Sequence, residues 1–139
     1  MLPIKTLLHP TDLSEASRHA FDMACQIARD RGARIVLLHV VPPANRHSTE
    51  VVIGDPLAGF REIAPDLPID TRVEKGDPAD VILRVAVEVK CDILVMGTHG
   101  RTGLSHWLTG HVVDDVVHKA ACAVLTMRSP FPEERQPSP

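Results

Sequence analysis

Aromatic side chains are scarce in this chain. They make up 3% of its 139 residues, with three Phe, one Trp and no Tyr. Proteins that hold single-stranded nucleic acids stack the bases on aromatic side chains, and nucleic-acid proteins in general carry a concentrated basic patch. The formal net charge of this chain is −3 and its isoelectric point is about 6.2, so the chain is acidic rather than basic. We therefore expect no nucleic-acid partner.

The features of membrane and secreted proteins are missing as well. No apolar run approaches the ~20 residues that cross a bilayer, and the first residues, MLPIK, are not a basic segment followed by a long apolar one. Cys25, Cys91 and Cys122 are odd in number and widely spaced, so we interpret them as small buried hydrophobic residues in a reducing compartment. The resulting expectation is a cytoplasmic protein without membrane association.

Five short apolar runs predict buried β-strands. Most are continuous rather than alternating, which is typical of parallel strands covered on both faces. The third run alternates, which indicates an edge strand with one wetter face. The runs are Ile4–Leu8, Ile35–Val41, Ile69–Val73, Ile93–Met96 and Val124–Met127.

Helical patterns alternate with these runs. The first spans about Ser14–Asp30 and is followed by Gly32 as a C-cap, and another begins at the N-cap and proline pair Asp77-Pro78. Strands that alternate with helices predict one α/β domain with a parallel sheet and right-handed crossovers. The last helix spans about Gly110–Ala120, with an apolar stripe of Val112, Val113, Val116, Val117 and Ala120.

Residues 42–68 fit this alternation poorly because they contain five prolines. Only the part from Asp55 to Ala64 is suited to a helix, and we predict a short one flanked by loop. Gly54-Asp55-Pro56 repeats the pattern of Gly76-Asp77-Pro78, which indicates a helix start. The residues from 129 onward are rich in proline and charge and are expected to form a flexible tail.

A glycine-rich loop follows the fourth strand and leads to the helix that begins near Gly110. Gly97, Gly100 and Gly103 permit positive φ and close approach of a ligand to the backbone. The helix N-terminus adds unpaired N–H donors and a positive dipole end. This arrangement predicts an anion site, with a simple connecting turn as the alternative. The sequence contains no Walker A motif, no GxGxxG after the first strand and no complete HxGH adenylylation signature.

Asp12 follows the first strand in the way that the glycine loop follows the fourth. Ligands of parallel sheets bind at the carboxyl ends of the strands, where the strand order reverses. If the two strands are neighbours, Asp12 faces the glycine loop across a crevice. The structural alternatives are a helix N-cap for Asp12 and a solvated loop position for Arg101. We interpret His9 and His39, which end two central strands, as satisfied core histidines.

Three polar residues of the last helix, His111, Asp115 and His118, fall on one face. Two imidazoles and a carboxylate are a plausible set of ligands for a transition metal. A solvated face opposite the valine stripe is the preferred interpretation, and we predict no metal site.

The glycine loop with its strand, Asp92–Leu104 (DILVMGTHGRTGL), and the segment Leu7–Glu15 (LLHPTDLSE) resemble the universal stress protein family. Leu37–Val41 and Ala121–Arg128 extend the resemblance over nearly the whole chain. It implies a three-layer α/β/α sandwich with a five-stranded parallel sheet of order 3-2-1-4-5, with a shortened helix between strands 2 and 3. The domain is then expected over residues 1–128, with residues 129–139 as the flexible tail.

The same resemblance implies a site for ATP or a related adenine nucleotide, with Mg²⁺ as a companion ion. ATP-binding members carry G-x2-G-x9-G-[ST], and this chain has His111 at the hydroxyl position. Histidine can also donate to a phosphate oxygen, but it is larger and could block the site. By resemblance, Asp12 would hold the ribose or the adenine edge. The implied site residues are Pro10, Thr11, Asp12, Val40, Met96, Gly97, His99, Gly100, Arg101, Gly110, His111, Val112 and Val113.

On this basis we expect a regulatory module that binds an adenine nucleotide and forms a homodimer through its last strand, Val124 to Met127, an edge that pairing would cover. A dimer that binds no nucleotide and acts through protein interactions is the alternative that His111 favours. A slow ATPase or an adenylyl-transferring relative is the second alternative. The sequence shows no positioned base and no second acidic strand end for Mg²⁺, so any hydrolysis is expected to be slow.

Overall fold

The computed structural model describes residues 3–43, 54–98 and 110–128. Strands and helices alternate along this part of the chain, which confirms the predicted α/β class. The elements are β1 (Thr6–Thr11), α1 (Glu15–Arg31), β2 (Arg34–Val41), α2 (Ala58–Ile63), β3 (Ile69–Lys75), α3 (Pro78–Glu88), β4 (Ile93–Thr98), α4 (Gly110–Lys119) and β5 (Ala123–Arg128).

The five strands are parallel and form one sheet in the order β3-β2-β1-β4-β5. This is the order that the family resemblance implies. Every residue of the central strand β1 is buried, whereas β3 and β5 form the two edges. Half-buried and exposed residues alternate along most of β3, as expected for an edge strand.

Each face of the sheet carries its own hydrophobic core. Successive residues of a strand point to opposite faces, so Leu7 packs in one cluster with Phe21 of α1 and Leu8 packs in the other with Ile82 of α3. α1 and the residues around α2 cover the first face, and α3 and α4 cover the second. The result is the expected three-layer sandwich, with α2 as the shortened helix.

Helix boundaries follow the capping residues of the sequence. Ser14 is the N-cap of α1, where its hydroxyl accepts from the N–H of Ser17, and Gly32 ends the helix with φ 67°, a left-handed conformation that suits glycine. Asp77 caps α3 by accepting from the N–H of Asp80, and Pro78 occupies the first turn. These two helix starts lie at the carboxyl ends of β1 and β3.

The first strand lies further along the chain than predicted. It was expected over Ile4–Leu8, but β1 extends from Thr6 through Pro10 to Thr11. Proline is tolerated there because β4 pairs only with the earlier residues of β1, so the missing N–H removes no bond to β4.

The helix predicted from Asp55 begins three residues later, at Ala58. The Asp55 carboxylate accepts from the N–H of Leu57 at 2.9 Å, and its carbonyl accepts from the N–H of Ala58 at 3.3 Å. Asp55 therefore forms a turn that precedes the helix, and the repeated Gly-Asp-Pro pattern caps a helix only at Asp77.

The apolar stripe of α4 is narrower than predicted. Val113 and Val116 are buried, and Val112 packs at the margin of the core, but Val117 is 47% exposed. A residue directly after Val116 is turned about 100° around the helix axis, away from the sheet.

Among the described residues, no helix has the length and apolar character needed to cross a membrane. The predicted tail, 129–139, and most of the glycine loop, 99–109, lie outside the described residues.

Candidate functional site

The sheet opens between β1 and β4. These strands are paired at only two positions, Leu7 with Ile93 and Leu8 with Leu94, whereas β1 pairs with β2 along its whole length. Beyond Leu8, the Nδ1 atom of His9 lies 2.8 Å from the carbonyl oxygen of Val95. A carbonyl only accepts, so Nδ1 carries the proton and donates. The two strands thus part toward their carboxyl ends, at the point where the strand order reverses, and this gap is called the β1–β4 crevice below.

The first histidine is held in its neutral form. His9 is fully buried beside Phe21, with the ring centroids 5.8 Å apart. Burial lowers the pKa of His9 from 6.5 to about 4, although its bond to Val95 and the nearby Asp12 carboxylate act in the opposite direction. The second histidine, His39, lies 2.9 Å through Nδ1 from the carbonyl oxygen of Thr11, and so joins the ends of β2 and β1. His9 is a core histidine, but its buried Nε2 atom has no hydrogen-bond partner among the described residues, so the prediction that it is satisfied is wrong. His39 is half-buried and bonded through Nδ1. Both rings also position the end of β1.

Asp12 sits at the carboxyl end of β1 and is 5% exposed. Its Oδ1 accepts from the Ser17 hydroxyl at 2.8 Å and from the N–H of Ser14 at 3.0 Å. The N-cap of α1 is Ser14, so Asp12 is not the cap residue and instead organises the turn that leads into the helix. These two bonds are both made by one oxygen of the carboxylate.

The turn between β1 and α1 contains a residue in an unusual conformation. Leu13 has φ 70°, in the left-handed region, and its side chain is 43% exposed. Its N–H donates to the hydroxyl of Thr11 at 3.0 Å. Left-handed backbone costs a residue other than glycine about 1–2 kcal/mol. The surrounding bonds of Thr11 and Asp12 hold the turn in this shape.

Gly97 lets α1 approach the sheet closely. A Cβ atom at this position would lie 2.6 Å from the carbonyl oxygen of Ala16 and 2.9 Å from its carbonyl carbon. The first turn of α1 therefore rests directly on the backbone of β4. Glycine is needed here for helix–strand packing. The sequence had instead suggested that this glycine allows a phosphate to approach the backbone.

The beginning of α4 places two predicted residues at the surface. Gly110 and His111 are exposed, so the imidazole does not fill a buried hollow. Within residues 3–43, 54–98 and 110–128, no atom lies within 4 Å of a Cβ added at Gly110. Val112 is half-buried, and Val113 is packed in the core between α3 and α4.

The structure brings a subset of the predicted site residues to one edge of the sheet. Pro10, Thr11 and Asp12 end β1, Val40 lies near the end of β2, and Met96 and Gly97 near the end of β4. Val40 and Met96 have their side chains in the core, with no exposed surface. Three further members of the predicted set lie outside the described residues, namely His99, Gly100 and Arg101.

Sequence reasoning missed Ser17 as part of the site. Its hydroxyl is buried, donates to Asp12 at 2.8 Å, and also lies 3.3 Å from the main-chain N–H of Asp12. A signal was present, because two serines at positions 14 and 17 lie about one helical turn apart at a predicted helix start.

Two further features involve none of the predicted nucleotide residues. His118 of the suggested metal face bonds through Nδ1 to the carbonyl of Asp114 at 2.7 Å, and the described residues contain no cluster of three or more metal-ligating side chains.

A surface cavity of about 370 Å³ opens beside the start of α1 and includes none of the predicted nucleotide residues. It is lined by Leu13, Ser14, Glu15, Arg18, His19, Asp22 and Phe60.

Comparison with known proteins gives a consistent result. The model of the universal stress protein family matches residues 3–128. A universal stress protein of Methanocaldococcus jannaschii is 30% identical over 150 residues, which cover 93% of this chain and 85% of that protein. A solved universal stress protein in complex with cAMP is 27% identical with a TM-score of 0.67, over 91% of this chain and 98% of that one.

A universal stress protein from Archaeoglobus fulgidus has the same fold, with a TM-score of 0.71 at 23% identity, and the match covers 90% of this chain and 98% of that one. The strand order, the crevice at the reversal point and the family match over residues 3–128 agree. This chain therefore belongs to the universal stress protein family.

Proposed function

We propose that this protein is a cytoplasmic regulatory module that binds an adenine nucleotide, ATP foremost, in the β1–β4 crevice. The observation that carries the proposal is the parting of β1 and β4 after two residue pairs, with the buried carboxylate of Asp12 at the end of β1. Open parallel sheets bind ligands at such a point. The relative that is 27% identical and was solved with cAMP supports an adenine nucleotide as the ligand class.

Asp12 is proposed to hold the ribose hydroxyls. A carboxylate is an acceptor-only group when ionised, and two neighbouring hydroxyls are two donors. The bonds from Ser17 and Ser14 fix the orientation of the carboxylate before any ligand arrives, which reduces the ordering cost of binding.

The start of α4 is proposed to face the phosphates. Its first N–H groups are unpaired within the helix and carry the positive end of the dipole. No atom of the part of the chain that the structure describes lies within 4 Å of a Cβ added at Gly110, and the exposed His111 supplies an imidazole N–H in place of the family hydroxyl. Mg²⁺ would then be held by the phosphates together with water, as is usual for this ion.

The proposal is tested by calorimetric titration of the purified protein with ATP, ADP, AMP and cAMP, with and without Mg²⁺. We expect saturable binding. Asp12→Asn keeps an acceptor oxygen for Ser17 and Ser14 but removes the charge, and it should weaken ATP binding by about tenfold or more, or about 1.4 kcal/mol. Asp77→Asn makes the same change at the start of α3 and should leave affinity unchanged.

Absence of heat with all four nucleotides, together with no nucleotide among the small molecules released from the purified protein, would contradict the proposal. Equal effects of Asp12→Asn and Asp77→Asn would also contradict the assigned role of Asp12. Phosphate release followed in the same samples separates a binding module from an ATPase, and we expect it to be slow.

A second candidate function is dimeric scaffolding without a nucleotide, which the position of β5 favours. β5 is an edge strand with partly buried apolar side chains, and a second copy could pair with it through Val124 to Met127. Sedimentation velocity tests the dimer. Thr126→Lys places a charge at an exposed position of β5 and should produce monomers, whereas Val73→Lys on the opposite edge strand should not.

A further inference from the structure

Two cysteines meet at the edge of the sheet opposite the β1–β4 crevice. Cys91 and Cys122 are 31 positions apart in the chain, yet their Sγ atoms are 3.2 Å apart. Cys91 lies just before β4 and Cys122 just before β5, and these strands are paired in parallel from Ile93 and Ala123 onward. Both residues are half-buried free thiols.

The main chain around the first cysteine is firmly held. The N–H of Cys91 donates to the carbonyl of Ala86 at the end of α3, and the N–H of Asp92 donates to the carbonyl of Thr6 at 2.8 Å. The Asp92 carboxylate in turn accepts from the N–H groups of Lys5 at 2.8 Å and Thr6 at 3.0 Å. The two sulfur atoms are therefore brought together by strand pairing and fixed turns.

We propose that Cys91 and Cys122 form a dithiol site that a low-molecular-weight disulfide, such as oxidised glutathione, converts into an intramolecular disulfide. The Sγ atoms must approach by about 1 Å to reach the ~2.05 Å of a disulfide bond, which rotation of the two side chains can supply. Neighbouring parallel strands lie ~4.8 Å apart, a spacing within the reach of a disulfide bridge.

The reaction proceeds by two exchange steps. The thiolate of Cys122 attacks one sulfur of oxidised glutathione, which breaks its S–S bond, forms a mixed disulfide and releases one glutathione. The Cys91 thiol then loses its proton and attacks Sγ of Cys122, which releases the second glutathione. Two electrons and two protons pass in total from the protein to one molecule of oxidised glutathione.

The environments of the thiols set this order. Burial, followed by the contact with the Cys122 thiol, raises the pKa of Cys91 well above its ordinary value. The thiolate is the nucleophile, so Cys91 is the poorer first attacker and acts instead as the resolving thiol at 3.2 Å. Cys25 belongs to α1 on the other face of the sheet and is 4% exposed, and burial raises its pKa to about 11.

The disulfide would close a ring that contains β4 and α4. β4 carries Gly97 and α4 begins at Gly110. In the oxidised protein, the segment that contains both glycines would therefore be joined at its two ends. Closing the ring restricts the unfolded chain, and the oxidised form should therefore resist denaturant better than the reduced form.

The experiment uses the complete, folded protein in buffers of reduced and oxidised glutathione, followed by alkylation of free thiols, trypsin digestion and mass spectrometry. Under oxidising conditions we expect the titratable thiols to fall from three to one. The linked peptides should be 91–101 and 120–128, and dithiothreitol should restore all three thiols. The denaturation midpoint of the linked form should be higher.

Cys25→Ala is the matched control and should form the link normally. Cys122→Ala should abolish it and leave two reduced thiols. The site assignment is overturned if the native protein keeps three free thiols or forms only mixed disulfides with glutathione. It is also overturned if the disulfide involves Cys25 or joins two copies of the chain. Mapping the wild-type link requires no variant, so a variant that fails to fold does not affect the result.

Discussion

The ring of His9 donates from Nδ1 to the carbonyl oxygen of Val95 across 2.8 Å, at the place where β1 and β4 stop pairing. The side chain thereby replaces a main-chain bond between the strands. It holds them at a fixed separation on the floor of the β1–β4 crevice, and it does so as a neutral ring.

The burial of the His9 ring predicts a loss of stability in acid, because burial disfavours the charged form. The pKa of His9 is 6.5 in the unfolded chain and about 4 in the folded protein. The unfolded state therefore binds more protons as pH falls below 6.5, and stability that is fully present above this pH decreases down to about pH 4. The contribution of His9 to the loss should be about 3 kcal/mol, measured by urea unfolding across this range.

His9→Leu should flatten the pH dependence between pH 6.5 and 4 relative to the wild type, because the buried titrating group is removed. His118→Gln changes an exposed histidine of α4 and should keep the wild-type slope. An unchanged slope in His9→Leu would show that another group governs the acid response.

Gly97→Ala should destabilise the protein by about 1–3 kcal/mol, because the new methyl group would overlap main-chain atoms of Ala16 that cannot move independently. Gly59→Ala in the short helix α2 is the control, since no atom of the described residues lies within 4 Å of an added Cβ there. That change should be neutral or stabilising by up to about 1 kcal/mol. Chemical denaturation of both variants provides the comparison.

Ser17→Ala removes the 2.8 Å bond to Asp12 in a buried setting and should cost about 1–2 kcal/mol of stability. It should also weaken nucleotide binding, because the carboxylate loses its fixed orientation. Ser14→Ala removes the N-cap hydroxyl at a cost of about 1 kcal/mol but retains the main-chain donor to Asp12. If both variants reduce affinity equally, loss of helix stability rather than orientation of Asp12 is the cause.

Leu13→Gly should raise the midpoint of thermal unfolding. Leu13 is strained in a left-handed conformation at φ 70°, and its side chain is 43% exposed. Glycine adopts this conformation without strain. A gain of up to about 1 kcal/mol is expected. Gly32→Ala makes the reverse change at φ 67° and should destabilise by a similar amount. A lower midpoint for Leu13→Gly would mean that the leucine side chain contributes packing that its exposure conceals.

Most of the fold followed from local signals. Ser14 and Asp77 cap the predicted helices, and the alternation of β3 marks an edge. The strand order came from the family resemblance, since periodicity carries no information on which strands are neighbours. The shift of β1 to include Pro10 depends on where β4 stops pairing, which no local pattern contains.

The candidate site was predicted less completely. Asp12 and Gly97 were identified, but the close contact of Gly97 with Ala16 results from the packing of a helix on a distant strand. The meeting of Cys91 and Cys122 similarly requires the parallel pairing of β4 with β5. Interactions between residues far apart in the chain depend on register, and a single sequence does not reveal it.

Strand pairing joins the two sides of the central seam of the sheet at only one end. Leu7 and Leu8 pair with β4, and the Asp92 carboxylate reinforces that end through the N–H groups of Lys5 and Thr6. Toward the other end the halves β3-β2-β1 and β4-β5 share no further strand pairs. A molecule bound between them would contact both halves at once. Its binding should therefore slow hydrogen exchange of main-chain amides on each side of the seam. The effect of binding would in this way reach the outer strands.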